Sequence, residues 1–110
     1  MKVLNLISED YILLTNEASN DLIFVGIYVS DLLSNVLRQA KPENGLVTTL
    51  ANMNTIAVAS MLDLALVIFC EGKVPSVEMI FKANEEGIAL ISSSKTAVEV
   101  ILDLHQISAI

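Results

Sequence analysis

Small polar side chains gather where the apolar stretches of this 110-residue chain give way to loops. Hydroxyl and amide groups beside the start of a helix, together with the free backbone N–H groups there, can hold a phosphate or a carboxylate. Lys95 would supply the one nearby positive charge. The same residue types also form ordinary helix caps and turns, which is the alternative interpretation. The residues of this predicted anion site are Tyr28, Ser30, Asp31, Thr48, Thr49, Asn52, Asn54, Glu71, Ser92, Ser93, Ser94, Lys95 and Thr96.

Residues that catalysis or metal binding would require are sparse. Cys70 and His105 are the only residues of their kinds, so a zinc site built from such ligands is not expected. The four glycines lie singly, and neither a phosphate-binding loop nor a dinucleotide fingerprint can be written. Asp31 and Glu71 could share one edge of a sheet, which leaves a small enzyme as the last alternative. We therefore expect a chain without catalytic residues, metal or cofactor.

The charges of the chain exclude two classes of partner. Thirteen acidic and six basic residues give a net charge of −7, and the basic residues are scattered singly. Binding to nucleic acid or to an anionic membrane relies on clustered Lys and Arg. Neither partner is therefore expected. A single cysteine cannot form an internal disulfide, which fits a cytoplasmic protein.

The apolar content is high, at 54% of residues with a mean hydropathy of +0.64. The longest apolar stretch, residues 56–70, is interrupted by Asp63 and is shorter than the roughly 20 residues of a spanning helix. The apolar surplus instead predicts a homodimer. A helix predicted to start at Asn52 or Asn54 and to run to about residue 62 is apolar almost all round. It is the candidate interface, through Ile56, Ala57, Ala59 and Met61.

The elements that position the polar groups follow from hydrophobic periodicity. Residues 64–70 (LALVIFC) are an unbroken apolar run, typical of a strand covered on both faces. Further strands are predicted at 11–14, 22–25, 46–50 and 88–91. Helices are predicted at 2–8, 30–40, 52–62, 76–87 and 96–106, with Ser30, Ser76 and Thr96 as N-caps.

This alternation predicts one domain, residues 1–110, with a three-layer α/β/α fold. Its sheet would be mostly parallel, with about five strands and helices on both faces. Because the carboxyl ends of parallel strands share one edge, the polar groups would meet there.

Five segments, in matching order, resemble the DRTGG domain family. They are residues 26–34 (GIYVSDLLS), 40–42 (AKP), 54–59 (NTIAVA), 83–90 (ANEEGIAL) and 96–99 (TAVE). The likeness runs from about residue 11 to 104, although the Asp-Arg-Thr-Gly-Gly string itself is absent around Gly26. The resemblance implies an α/β fold similar to the N-terminal domain of HPr kinase/phosphorylase. Other members of the family are joined to CBS domains or to phosphotransacetylase, which implies a regulatory module.

Two functions are therefore expected ahead of an enzyme. The first is a non-catalytic regulatory domain that senses a small anionic metabolite or nucleotide at the strand exits. The second is an interaction module that docks onto itself or onto a protein partner without a small ligand.

Overall fold

A computed structural model describes residues 1–110, and its core is a sheet of five short strands. The strands are β1 (Ile12–Leu13), β2 (Ile27–Val29), β3 (Gly45–Thr48), β4 (Leu66–Phe69) and β5 (Ala89–Ser92). They lie in the order β1-β5-β4-β3-β2. Strands β2 to β5 are parallel, and β1 pairs antiparallel with β5. This arrangement confirms the predicted α/β fold with a mostly parallel sheet.

Strand β4 is the middle strand, and all four of its residues are buried. Leu66 and Ile68 pack on one face of the sheet, and Val67 and Phe69 pack on the other. Successive side chains of a strand point to opposite faces, so a strand that is covered on both faces has no polar position. This explains the unbroken apolar run that begins at residue 64.

Helices cover both faces of the sheet. Helices α1 (Leu33–Gln39), α2 (Met53–Met61) and α3 (Val77–Glu86) share a core cluster with Val67 and Phe69. Helix α4 (Ala97–Gln106) and a 3-10 helix, Val3–Leu6, share the opposite cluster with Leu66 and Ile68. A second 3-10 helix covers Glu17–Asp21. The predicted layers are therefore present.

Residues predicted as caps lie at the ends of three helices. Asn52, Ser76 and Thr96 each accept a hydrogen bond from the backbone N–H three residues later, at 3.3, 3.2 and 3.3 Å respectively. Glu99 completes a capping box with Thr96. Gly87 ends α3 with a φ of 70°, a conformation that side chains disfavour. These local signals were correctly predicted.

Two predicted elements were wrong in their placement, and a third differs only in its helix type. The strand predicted at 22–25 lies instead at Ile27–Val29, because Gly26, with a φ of 76°, turns the chain just before it. The helix predicted from Ser30 begins at Leu33, and its N-cap, Leu32, has no side-chain cap. The helix of one or two turns predicted at 2–8 is present as one 3-10 turn, Val3–Leu6, with Val3 and Leu6 buried. Strand β2 pairs with β3, and Asp31 bonds to Thr48 and Thr49 after β3, so contacts with distant residues determine the boundaries of the two misplaced elements.

Helix α2 was predicted as an interface, but half of the residues predicted to form that interface are buried in the chain's own core. Ile56 and Ala59 are fully buried in the core, so they contact the chain's own interior. Ala57 and Met61 are exposed. Burial against α1 and α3 explains why the helix is apolar almost all round. Only the latter two residues remain available to a partner.

Candidate functional site

The exits of β2 and β3 are joined by one carboxylate. Asp31 Oδ1 accepts hydrogen bonds from Thr48 Oγ1 at 2.7 Å and from the backbone N–H of Thr49 at 2.6 Å. Burial would raise the pKa of Asp31, but the bonds from Thr49 and Thr48 outweigh it and hold that pKa below its ordinary value. Asp31 was expected in the first turn of a helix, but it instead stabilises the loop after β3.

The exits of β4 and β5 are joined through the backbone. The N–H of Glu71 donates to the carbonyl of Lys95 at 2.8 Å, and the N–H of Gly72 donates to the carbonyl of Ser93 at 2.9 Å. Ser93 Oγ in turn accepts from the N–H of Lys95 at 3.2 Å. The two loops therefore form one connected structure.

The thirteen predicted residues thus lie at one edge of the sheet, and many of them pair with one another or with nearby backbone. Asn52 and Thr96 are caps, and Ser30 Oγ accepts from the N–H of Leu32. Tyr28 is half-buried against the α1–α3 face, and Ser92 pairs with β1. Asn54, Glu71 and Ser94 are exposed. Of the thirteen, only Lys95 lines any of the four surface cavities.

The side chain of Lys95 leaves that edge and points towards α4. Its Nζ lies 2.6 Å from Asp103 Oδ2 and 3.6 Å from Asp10 Oδ2. It also lies 5.8 Å from the centre of the Tyr11 ring, within the range of a cation–π contact. The positive charge that was predicted to hold an anion is therefore already neutralised by two carboxylates.

A cavity of about 270 Å³ lies between the 3-10 helix Val3–Leu6, the start of β1 and α4. It is lined by Asp10, Tyr11, Lys95 and Asp103, among others. Its floor is apolar, because Leu6 and Leu104 are buried there. Tyr11 is only 7% exposed, and its hydroxyl donates to Asp103 Oδ2 at 2.6 Å. We call this space the Tyr11 cavity.

The pKa values of Tyr11, Lys95 and Asp103 are all shifted by their contacts in the Tyr11 cavity. Burial, and then the bond to Asp103, raises the pKa of Tyr11 well above its ordinary value. The hydrogen bonds from Lys95 and then Tyr11 lower the pKa of Asp103, and the bond to Asp103 raises that of Lys95. All three pKa values therefore lie further from pH 7 than the ordinary values of these groups. A general acid or base needs a pKa near the working pH, so these shifts do not favour proton transfer by these three groups.

Three residues of the Tyr11 cavity were not predicted from the sequence to be functional: Asp10, Tyr11 and Asp103. Tyr11 and Asp103 are 92 positions apart, so no local pattern connects them. Lys95 lies two residues before α4 and Asp103 lies within it, and a separation of eight residues is not one at which helical periodicity pairs side chains, so no local pattern indicated this pair either. The antiparallel pairing of β1 with β5, which brings Tyr11 to this edge, was not predicted.

Cys70 and His105 do not form a catalytic pair. The Cys70 thiol is fully buried and lies 3.6 Å from the carbonyl oxygen of Thr48. Burial, and then the charge of Glu71, raises the pKa of this thiol. His105 is exposed, with Nδ1 at 3.2 Å from the carbonyl oxygen of Ile110.

A second cavity, of about 220 Å³, is lined by apolar side chains alone. Val98 and Leu102 of α4 are 68% and 62% exposed, and Val29 of β2 is nearly half exposed. Ala97 and Ile101 complete it. We call this surface the α4 groove.

Two further observations concern metal binding and membrane insertion. No cluster of three or more His, Cys, Asp or Glu side chains is arranged to hold a metal ion. None of the helices is both long enough and apolar enough to cross a membrane.

Comparison with solved structures identifies a similar fold. One match is a crystal structure of the CBS and DRTGG domains of the regulatory region of Clostridium perfringens pyrophosphatase, complexed with its activator, diadenosine tetraphosphate. The TM-score is 0.71 at 14% sequence identity. The two chains share a fold. The match covers 84% of this chain and 40% of the pyrophosphatase chain, so this chain spans less than half the length of that one. No protein-family model and no curated protein matches the sequence.

Proposed function

We propose that this chain is a DRTGG-type regulatory domain that acts by binding a small ligand rather than by catalysis. Two independent lines support the regulatory part of this proposal. The sequence resembles the DRTGG family in five segments, and the fold is similar to that of a regulatory region containing such a domain. Likeness of fold at this identity carries no chemistry by itself, so the mode of action rests on the site.

The Tyr11 cavity is the observation that carries the proposal. It combines an apolar floor with a phenol, a carboxylate and an ammonium group that are already held in place by mutual hydrogen bonds. Concave sites with an apolar lining and a few fixed polar groups are where small molecules bind. The raised pKa of Tyr11 and the lowered pKa of Asp103 keep these groups as donor and acceptor, respectively, at neutral pH.

A ligand in this cavity would act on the sheet edge as well. Lys95 contributes its side chain to the cavity and its backbone to the bonds that join the exits of β4 and β5. A molecule that moves the Lys95 side chain therefore perturbs the loops that carry most of the predicted polar residues. This connection is a route by which a binding event could reach a neighbouring domain.

The test is thermal unfolding of the purified chain with a set of named probes: diadenosine tetraphosphate, AMP, acetyl phosphate and putrescine. The nucleotides are included because the pyrophosphatase region was crystallised with one. A ligand at ten times its Kd stabilises the folded chain by about 1.4 kcal/mol, which raises the melting temperature by several degrees. We expect at least one probe to do so, and expect the effect to be lost in Asp103→Asn. If no probe shifts the transition, the proposal is wrong.

The α4 groove supports a second candidate function, self-association. Strand β2 is the open edge of the sheet and contains no charged residue. Gly26 and Ser30 bond to β3, so the backbone groups of Ile27 and Val29 face outward. A second copy of this chain could pair its own β2 there in antiparallel orientation. The two-fold axis would then place the two α4 grooves beside each other.

A further inference from the structure

We propose that the Tyr11 cavity selects an organic cation, a primary ammonium group on a short hydrocarbon, rather than the anion expected from the sequence. This inference rests on the proposed function, because it names the ligand class of the same site. Asp10 and Asp103 bring two negative charges to the cavity and Lys95 brings one positive charge. The cavity therefore carries an excess negative charge.

The hydrogen bonds of the cavity leave acceptors unused. Asp103 Oδ2 receives both the hydroxyl of Tyr11 and the ammonium group of Lys95. Asp103 Oδ1 accepts no hydrogen bond, and neither oxygen of Asp10 does. An ammonium group has three donors and no acceptor, so it can satisfy these oxygens. A phosphate or carboxylate would meet them as like charges.

Lys95 shows how an ammonium group fits this environment. Its Nζ touches one carboxylate at 2.6 Å, lies near the other at 3.6 Å, and stands over the Tyr11 ring at 5.8 Å. Carboxylates and an aromatic face are the groups that recognise organic cations in proteins. A ligand of this class would share or take over the place of the lysine side chain.

The remaining walls fit a hydrocarbon. Leu6 and Leu104 form the floor, and Ile7 and Ile107 stand at the sides. These side chains bury methylene groups favourably but offer no partner to a charge, so the second ammonium group of a diamine would lie at the open side of the cavity, in water. The net charge of −7 further attracts cations to the molecule and repels anions.

The experiment is isothermal titration of the full chain with putrescine, succinate and butanediol, which share four carbons and differ in charge. We expect heat of binding with putrescine alone. Asp103→Asn should weaken that binding by about tenfold or more, because it removes the charge that the ligand faces. Asp10→Asn should weaken it too, and it leaves the Tyr11–Asp103 bond intact if Asp103→Asn folds poorly. Asp21→Asn, in the exposed Lys2–Asp21 pair at 3.8 Å, is the matched control and should change nothing.

The Lys95→Gln variant best distinguishes a cation site from an anion site. It removes the resident cation, so putrescine binding should become tighter, whereas a site that holds anions through Lys95 would become weaker. Binding of succinate or of diadenosine tetraphosphate in place of putrescine overturns the cation inference and leaves the proposed function standing. Absence of binding by putrescine and by every nucleotide overturns both. Putrescine binding that is unchanged in both aspartate variants also overturns the inference, because the ligand would then sit elsewhere.

Discussion

The hydroxyl of Tyr11 donates to Asp103 Oδ2 at 2.6 Å across 92 positions of the chain. This bond ties the residue before the antiparallel edge strand to the middle of α4. The same carboxylate oxygen receives the ammonium group of Lys95, also at 2.6 Å. Asp103 is therefore the point at which the fold and the candidate ligand site depend on one side chain.

Tyr11→Phe should destabilise the chain by about 2 kcal/mol. The ring would stay buried, but the hydrogen bond to an ionised acceptor would be lost, and such bonds contribute more than neutral ones. Urea unfolding followed by circular dichroism measures the change. Tyr28→Phe is the matched control, because the hydroxyl of Tyr28 makes no hydrogen bond in the structure, and its effect should stay within about 0.5 kcal/mol. Equal effects of the two substitutions would contradict this account of Tyr11.

Asp103→Asn should change how stability depends on pH. The pKa of Asp103 is lower in the folded chain than in the unfolded one, so its charge stabilises the fold above the unfolded pKa. That contribution is lost as the pH falls through the folded pKa. The gap in stability between wild type and Asp103→Asn should therefore be full at neutral pH and narrow below about pH 4. Urea unfolding at several pH values tests this, and a gap that does not change with pH would refute it.

Asp31→Ala should destabilise the chain by about 1–2 kcal/mol, because two donors lose their acceptor. One of them is the hydroxyl of Thr48, a residue that is only 2% exposed and so has little access to water. Asp31→Asn keeps an acceptor oxygen and should cost less. If the alanine variant matches wild type in urea unfolding, the bonds from Thr48 and Thr49 do not stabilise the loop.

Val98→Asp tests self-association through the α4 groove. Val98 is 68% exposed beside Leu102, and a carboxylate there would be desolvated in a dimer. Sedimentation velocity should show a dimer for wild type and a monomer for Val98→Asp. Val77→Asp is the control, because Val77 is 79% exposed on α3, on the other face of the sheet, and should stay dimeric. A monomeric wild type, or a dimer in all three, excludes this interface.

The sheet and its helices could be predicted because the signals are local. The apolar run from residue 64 indicated the central strand, and the spacing of Thr96 and Glu99 indicated a capping box. Each signal depends on residues within one turn or one strand. The errors arose where a distant partner decides the conformation. Asp31 had the position of a first-turn acid, but its hydrogen bonds go to Thr48 and Thr49 in another loop.

The candidate site was less accessible to sequence reasoning than the fold. Lys95 was identified as important, but its partners were not, because Asp10 and Asp103 reach it only after β1 pairs with β5 and α4 packs on the sheet. A lysine near hydroxyl groups suggests an anion site from sequence alone. In the structure two carboxylates pair with that lysine, which is the observation behind the cation proposal. The sign of a site's charge depends on side chains that only tertiary structure brings together.

We propose that the Tyr11 cavity binds a small organic cation. Two-dimensional NMR of the backbone amides, which maps ligand binding residue by residue, tests this most directly. The claim predicts that putrescine shifts the amide signals of Tyr11, Lys95 and Asp103 in a saturable way and leaves Val98 and Leu102 unmoved. Signals that stay in place with both putrescine and diadenosine tetraphosphate would contradict it. So would saturable shifts confined to the α4 groove, since the Tyr11 cavity would then not be the binding site.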